Sequence, residues 1–380
     1  MLVAKLRSTM LVLLLSGLIA ACTGHGFSPI TLNTGDTGTG DTGTGDTGGT
    51  PVSQTDNFIQ APAGKTDILF VIDNSGSMKE EQAALAQSFQ DLIADLNQIG
   101  GDYQIAVTST TVDDFSQYTA YRIGNCDDTG NLPEGASLLE PYALLAFGNN
   151  PTILSSQTMT QEQLELYFTQ NVAVGTCGSG WESGIMSGIE TLQSPNNASF
   201  LRSDAQLDLV FVSDEDDCTD PYTVRAETGS NSQGACHDPD VISNVLTDVG
   251  DLVSQLSSIK SNFRTHSIIW IPGDTQGAAL FEGTRYRDAT TGFLGSINDN
   301  FSALAAELGA TLAQPISDFT LSQTPVPETI SIVVNGSALL SSDGVTIHWE
   351  YQAPRTIHFF DAATDVPPDS TMTITYDVAN

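Results

Sequence analysis

The stretch "DNSGSM", residues 73–78, offers a carboxylate and two hydroxyls at alternate positions, from Asp73, Ser75 and Ser77. These side chains directly follow the five apolar residues 68–72, an unbroken run that is typical of a strand buried on both faces. Side-chain oxygens are the atoms that hard divalent cations such as Mg²⁺ and Ca²⁺ bind in proteins. The pattern therefore predicts a metal site at the point where a buried strand ends.

The elements around this stretch alternate between apolar strands and amphipathic helices. In the first helix Leu85, Phe89, Leu92 and Leu96 recur at intervals of four, three and four residues and form one apolar face. Further strands are expected at 103–109, 207–212 and 266–271, and further helices at 161–168, from 180, from 241 and at 301–312. This order predicts an α/β fold, a doubly wound, mainly parallel sheet flanked by helices on both faces.

A second carboxylate, Asp214, also follows an apolar strand, in "LDLVFVSDEDD", residues 207–217. Open parallel sheets bind ligands beyond the carboxyl ends of their strands, where both Asp73 and Asp214 are expected. Three more acids, Glu215, Asp216 and Asp217, follow immediately. We interpret them either as a second, calcium-type site or as a solvated acidic turn.

After about residue 315 the helical period disappears from the sequence. Short β-branched or aromatic runs are separated there by turn pairs such as Asn335-Gly336, and they occupy residues 329–334, 345–349, 356–360 and 371–376. We therefore divide the body of the chain into an α/β domain, residues 61–315, and a small C-terminal all-β module, residues 316–380.

The motif Asp73-x-Ser75-x-Ser77, with the strand before it and the helix after it, resembles the metal-ion-dependent adhesion site of von Willebrand factor A domains. The order of elements in the α/β domain resembles the same Rossmann-like family. The resemblance implies a metal ligand at Asp214 and a third hydroxyl ligand from "VGTCGSGWESGI", residues 174–185. Two residues fit that role, because the residue type favours Thr176 and the interval to the following Gly-Ile pair favours Ser179.

The same resemblance implies Mg²⁺ or Ca²⁺ as the cofactor, with Mn²⁺ as a further candidate. It also implies a partner, a protein or cell-surface ligand that reaches the metal through an acidic side chain. For Ser179 a structural interpretation is open as well, because Glu182 three residues later would complete a helix capping box.

Residues 1–21 are interpreted as a lipoprotein signal peptide, because Lys5 and Arg7 precede an apolar stretch too short to span a membrane. The stretch ends in "LIAAC", which resembles the bacterial lipobox and implies lipidation of Cys22; an ordinary secretory signal is the alternative. Residues 22–60 are expected to form a flexible tether rich in Thr, Gly and Asp. The predicted location is the cell envelope, at the outer membrane, with membrane contact through the lipid anchor only.

The other four cysteines are Cys126, Cys177, Cys218 and Cys236. An exported chain meets an oxidising compartment, so two disulfides are expected, for which three pairings exist. We favour Cys218 with Cys236, which closes a local loop, and Cys126 with Cys177. A zinc site is the competing interpretation, although the sequence has no Cys-x-x-Cys spacing.

The formal net charge of −34 disfavours a nucleic-acid partner, because phosphate backbones carry the same sign. The sequence has no Gly-x-Ser-x-Gly, His-Glu-x-x-His or phosphate-loop motif, and we do not expect an enzyme. The sequence instead predicts a lipid-anchored, divalent-metal-dependent binding protein of the bacterial cell envelope. The alternative is a structural component of an envelope assembly, in which the metal only stabilises the fold.

Overall fold

The computed structural model describes most of the chain after residue 51. The described residues are 52–61, 65–98, 101–112, 142–176, 178, 181–220, 245–271 and 282–379. All of them belong to one compact unit, Pro51–Asn380. Within these ranges no helix combines the length and the apolar character needed to cross a membrane. The predicted signal peptide, Cys22 and the tether up to residue 51 lie outside the described residues.

The described part of the chain contains strands and helices in alternation, followed by strands. The strands are β1 Ser53–Ile59, β2 Lys65–Ile72, β3 Asp102–Ser109, β4 Leu154–Ser155, β5 Gln206–Ser213, β6 Phe263–Ile269, β7 Leu294–Ser296, β8 Asp318–Thr320, β9 Ser331–Val334, β10 Ser337–Leu339, β11 Trp349–Gln352, β12 Thr356–Phe359 and β13 Thr371–Asp377. The helices are α1 Lys79–Gln98, α2 Gln161–Asn171, α3 Gly184–Gln193, α4 Val249–Ile259, α5 Thr284–Ala289, α6 Phe301–Leu312 and α7 Ala362–Asp365, with 3₁₀ turns at Pro195–Asn197 and Pro327–Thr329.

A six-stranded sheet in the order β4-β3-β2-β5-β6-β7 forms the centre of the α/β part. All neighbouring strands in it are parallel except the short edge strand β4, which confirms a mainly parallel α/β sheet. Ile72 at the end of β2 pairs with Ser109 of β3 and with Val212 of β5. The carboxyl ends of the three central strands therefore lie at the same level, and this level is where the candidate site is found.

Alternate side chains of β2 enter two different hydrophobic cores, one on each face of the sheet. Ile68, Phe70 and Ile72 lie in a core that includes side chains of α1, α2 and α6. Leu69 and Val71 lie in a second core with side chains of α3, α4 and α5. Because both faces of the strand are covered by helices, its sequence is apolar without alternation, as doubly wound sheets require.

The C-terminal strands form two antiparallel sheets around a third core. One sheet has the order β1-β13-β9-β10 and the other the order β11-β12-β8. Phe58, Phe319 and Phe359 pack in the core between them, with ring centroids 5.2 and 5.6 Å apart along the series. Residues 53–59, which the sequence analysis places in the tether, instead form β1 and pair with β13 along its whole length. The β module therefore includes one strand that precedes the α/β part in the sequence.

Several boundaries differ from those that the sequence predicts. Helix α4 begins at Val249 rather than near 241, because the carboxylate of Asp248 accepts the N–H groups of Gly250 and Asp251 and caps the helix there. Strand β6 begins three residues before His266, which is fully buried within it. The predicted strand at 345–349 is wrong for its first residues, since Val345 is 95% exposed and β11 begins only at Trp349.

Buried charge at the amino end of the sheet is fully paired. The carboxylate of Asp208 accepts hydrogen bonds from Arg264 Nε at 2.9 Å and from Thr66 Oγ1 at 2.6 Å. His266 Nδ1 accepts the N–H of Phe293 at 2.9 Å, so its Nε2, 2.9 Å from Asp208, carries the ring proton and donates it. Burial is the largest influence on Asp208 and raises its pKa, but the Arg264 charge, His266 and the Thr66 hydroxyl together outweigh burial and lower the pKa of that carboxyl below its ordinary value.

We predict that Asp208→Asn destabilises the protein by about 3–5 kcal/mol, because the Arg264 guanidinium is then buried without a counter-charge. Urea unfolding at pH 7 measures the loss. The matched control is Asp204→Asn at the same end of the sheet, whose carboxylate is 61% exposed and pairs with Lys65. The control should cost less than about 1 kcal/mol, and an equal loss in both variants would contradict the assignment.

Candidate metal site

The carboxylate of Asp73 is held in one orientation at the carboxyl end of β2. Its backbone N–H donates to Val212 O at 2.9 Å, which continues the pairing of β2 with β5 by one residue. Its Oδ1 accepts the N–H of Ser75 at 2.7 Å, and its Oδ2 accepts the hydroxyl of Ser213 at 2.6 Å. The residue is fully buried. Ser213, which the sequence analysis did not single out, therefore helps to position the predicted ligand.

A chain of hydroxyls connects Asp73 to Asp214. The Oγ atoms of Ser75 and Ser77 lie 3.2 Å apart, and Ser77 Oγ donates to Asp214 Oδ1 at 3.1 Å. Oxygen ligands of a small divalent cation lie about 3 Å from their neighbours when each is 2.0–2.4 Å from the metal. The structure thus brings the four residues predicted from two strand ends into one cluster, and Ser77 leaves that cluster open to solvent because it is exposed.

The loop that carries Thr176 is fastened to the same strand end. The amide of Gln82 donates to Asp73 O at 2.9 Å and to Gly175 O at 2.8 Å, and the N–H of Gly178 donates to Asn74 O at 2.7 Å. A Cβ atom at Gly178 would lie 2.7 Å from that Asn74 oxygen, so only glycine allows this approach. Ser179 lies outside the described residues, and the choice between Thr176 and Ser179 stays a prediction.

Glu182 is a site residue that the sequence analysis missed. Its side chain is fully buried, and its Oε2 accepts the hydroxyl of Thr110, whose own N–H donates to Ile72 O at 3.2 Å, next to Asp73. The Asp73 charge acts on the Glu182 carboxyl. The predicted capping role is wrong, because α3 begins at Gly184 and its first turn is capped by Asp217, which accepts the N–H of Ile185 at 3.1 Å.

The acids after Asp214 are buried, so the interpretation as a solvated turn is wrong. Glu215, Asp216 and Asp217 are 8%, 2% and 0% exposed. Asp216 accepts the hydroxyl of Thr284 at 2.7 Å, and Asp217 forms an ion pair of 3.3 Å with Arg285. These two carboxylates connect the start of α5 to the end of β5. Of the three acids, Glu215 is therefore the one whose carboxyl remains for the candidate site.

Burial makes the carboxyl groups of the cluster hard to ionise. It raises the pKa of Asp73, and together with the Asp73 charge it raises the pKa of Glu182 well above its ordinary value. Burial and then the Asp73 charge raise the pKa of Asp214 to about 7 and that of Glu215 to about 8. The leading causes at all four groups are burial, hydroxyl or backbone donors and other carboxylates, with no lysine or arginine among them.

The donor set fits a hard divalent cation. Two carboxylate oxygens, Glu182 Oε1 and Glu215 Oε2, are buried without a hydrogen-bond partner, and each such oxygen costs free energy unless a cation or proton satisfies it. Within the described ranges no group of three or more Asp, Glu, His and Cys side chains has the arrangement of a metal site. A metal here would therefore depend on the hydroxyls of Ser75 and Ser77 as much as on carboxylates.

The predicted disulfides fall largely on residues that are not described. Cys218 is fully buried and disulfide-bonded, and it packs with Trp181, whose Nε1 donates to Cys218 O at 2.6 Å. The other cysteines, Cys22, Cys126, Cys177 and Cys236, lie outside the described residues. The pairing therefore stays a prediction.

Comparison with known proteins shows low similarity. No family model and no curated protein matches the chain. Among solved structures, proximal thread matrix protein 1 from the mussel byssus is 12% identical with a TM-score of 0.35, over 67% of this chain and 49% of that one. The pilus adhesin SpaC from Lactobacillus rhamnosus GG, in its open conformation, is 12% identical with a TM-score of 0.34, over 87% of this chain and 43% of that one. The chain thus spans about half or less of either protein.

We predict that the metal-free protein loses stability as the pH rises from 5 to 9. Asp214 and Glu215 have folded pKa values of about 7 and about 8, above their ordinary 3.8 and 4.5, so the folded state binds these protons more tightly than the unfolded chain. That stabilisation is complete below the ordinary values and is lost as the pH passes the folded ones.

Urea unfolding in EDTA at pH 5, 7 and 9 measures the effect. The variant Asp214→Asn/Glu215→Gln should show a smaller decrease than the wild type, because neither replaced group titrates. A decrease of the same size in both proteins would show that the pH dependence arises elsewhere.

Proposed function

We propose that this chain is a non-catalytic, divalent-metal-dependent binding protein, lipid-anchored through Cys22 in the bacterial cell envelope. In this proposal the site is of the von Willebrand factor A type, the metal is Mg²⁺ or Ca²⁺, and the partner is a protein or cell-surface ligand. The observation that carries the proposal is the hydrogen-bonded series Asp73, Ser75, Ser77 and Asp214 at the carboxyl end of a parallel sheet.

The residues of the series have separable roles in this proposal. Asp73 provides the buried charge that holds the metal, and the N–H of Ser75 and the hydroxyl of Ser213 keep its two oxygens in place. Ser75 and Ser77 provide neutral oxygens. Asp214 Oδ1 accepts a hydrogen bond from the Ser77 hydroxyl, with the two oxygens 3.1 Å apart. This hydrogen bond turns the lone pairs of the Ser77 hydroxyl away from Asp214 and toward the metal position.

Access to the site supports a binding role. Gly76 and Ser77 are exposed, whereas Asp73 and Ser75 beneath them are buried. A bound metal supplies an open coordination position, and a partner oxygen would reach it from the side of Gly76 and Ser77.

The histidines of the described residues support the non-catalytic part of the proposal. His266 pairs with Asp208 at the opposite end of the sheet. His348 and His358 belong to the β module, where the Nδ1–H of each donates a hydrogen bond of 2.8 Å to an aspartate, Asp365 and Asp318 respectively. None of these three side chains is available to act as a base beside Asp73.

We predict that Ca²⁺ or Mg²⁺ raises the melting temperature of the purified protein and that Asp73→Asn abolishes this rise. The substitution keeps the side-chain shape but removes the charge that holds the metal. The control Asp288→Asn removes a carboxylate that is 56% exposed on α5 and should keep the full rise. A metal-induced rise that persists in Asp73→Asn would contradict the site.

Partner binding is tested with the same variants. The immobilised protein is incubated with envelope extract in 2 mM Ca²⁺ and Mg²⁺ or in excess EDTA; this metal concentration saturates a site with a Kd of about 0.1 mM or lower. The proposal expects bound partners that are lost in EDTA and in Asp73→Asn but kept in Asp288→Asn. Binding that survives both changes would favour the alternative, an assembly component in which the metal only stabilises the fold.

A further inference from the structure

Glu182 occupies a position that its own helix does not explain. It lies two residues before the first residue of α3, and its backbone is fixed by two hydrogen bonds, from the N–H of Cys218 to Glu182 O at 2.6 Å and from the N–H of Ser183 to Thr110 O at 3.1 Å. This backbone, with Thr110 bonded both to the Glu182 carboxyl and to Ile72 O, places a fully buried carboxyl near that of Asp73. One oxygen is bound by Thr110, and the other, Oε1, has no donor.

Two carboxyl groups close together and away from water are not both ionised unless a cation lies beside them; otherwise at least one of them holds a proton. The surroundings favour the cation, because a second buried carboxyl oxygen, Glu215 Oε2, also lacks a donor. A shared proton would satisfy one of the two orphan oxygens, whereas a divalent cation attracts both and offsets two of the charges.

Asp214 differs from Glu182 in its surroundings. Its Oδ1 accepts the hydroxyl of Ser77, and neither of its oxygens is buried without a partner. Glu182 Oε1 is buried without a donor, so Glu182 is the carboxylate that gains more from a cation.

We propose that Glu182 binds the metal directly, as the second carboxylate ligand beside Asp73. The inference rests on the proposed function and extends it. It assigns to Glu182 the ligand position for which Thr176 and Ser179 are the predicted hydroxyl candidates. The loaded site then contains two carboxylates and the hydroxyls of Ser75 and Ser77, with Asp214 orienting Ser77.

The test is calorimetric titration of the purified protein with CaCl₂ and with MgCl₂. Glu182→Gln keeps the shape and an oxygen for Thr110 but removes the charge, and it should weaken binding of the metal about tenfold or more. Glu182→Asp keeps the charge but shortens the side chain by one methylene, and it should weaken binding as well. The matched control is Glu190→Gln, about 9 Å along α3 from its first residue, Gly184, which should leave the affinity unchanged.

Urea unfolding separates a loss of folding from a loss of metal binding. Each variant is first unfolded with urea in EDTA, and a cooperative transition qualifies it; if Glu182→Gln fails this step, Glu182→Asp decides. The inference is overturned if the qualified Glu182 variants bind either metal as tightly as the wild type while Asp73→Asn does not. In that result the metal site stands and Glu182 only shares a proton with Asp73. If the wild type binds neither metal, the proposed function fails, and this inference fails with it.

Discussion

The organisation of the site depends on one constraint: carboxyl groups buried side by side cannot all be ionised unless a positive charge lies among them. Asp73 and Glu182 are both fully buried, and after burial itself the charges of Asp73, Glu215 and Asp214 raise the pKa of Glu182. No arginine or lysine is among the leading influences on them. Unless a cation is supplied, the folded state therefore favours the protonated form of these carboxyl groups.

The two ends of the same sheet meet this constraint in opposite ways. At the amino end Asp208 is paired with Arg264, and Asp67 with Arg202 at 2.7 Å, so the buried charges are balanced within the chain. At the carboxyl end the parallel register of β2, β3 and β5 gathers acids and hydroxyls. Arg285 pairs with Asp217 there, but among the described residues no lysine or arginine forms an ion pair with Asp73, Glu182, Asp214 or Glu215. In the proposed function this unpaired group of acids is where the cation binds.

Hydroxyl groups orient the carboxylates of the site and connect them to each other. Ser213 and Ser75 orient the two oxygens of Asp73, and Ser77 connects the cluster to Asp214 and to solvent. Donors of this kind cost little to bury when they are paired, and they position the carboxylates without cancelling their charge. The arrangement is consistent with a binding site, because it holds its charged groups in place while leaving one side exposed.

The parallel sheet and the approach of Asp73 to Asp214 could be predicted from the sequence, because local patterns determine them. The unbroken apolar runs before Asp73 and Asp214 indicate parallel strands covered on both faces, and the rule that such strands end at one edge is enough to bring the two aspartates together. The Asp-x-Ser-x-Ser motif predicted that Asp73, Ser75 and Ser77 lie together, and the structure places them in one cluster with Asp214.

The rest depended on tertiary contacts that no local pattern carries. Glu182 has the spacing of a capping residue, and only the approach of Thr110 and Asp73 from other strands reveals its place in the site. The acids 215–217 look solvated in sequence, yet α5 and Arg285 cover two of them. Strand β1 is short, polar on one face and adjacent to a low-complexity segment, so its pairing with β13, more than 300 residues later, leaves no local signal.

Diffraction from crystals grown with Mn²⁺ tests the central claim most directly, because the anomalous signal locates the metal without reference to any assumed ligand. The account predicts one strong peak within about 2.6 Å of the Asp73 carboxylate and of the hydroxyls of Ser75 and Ser77. The absence of a peak there at saturating Mn²⁺, with the carboxyl groups of Asp73 and Glu182 joined by a short hydrogen bond instead, would contradict it.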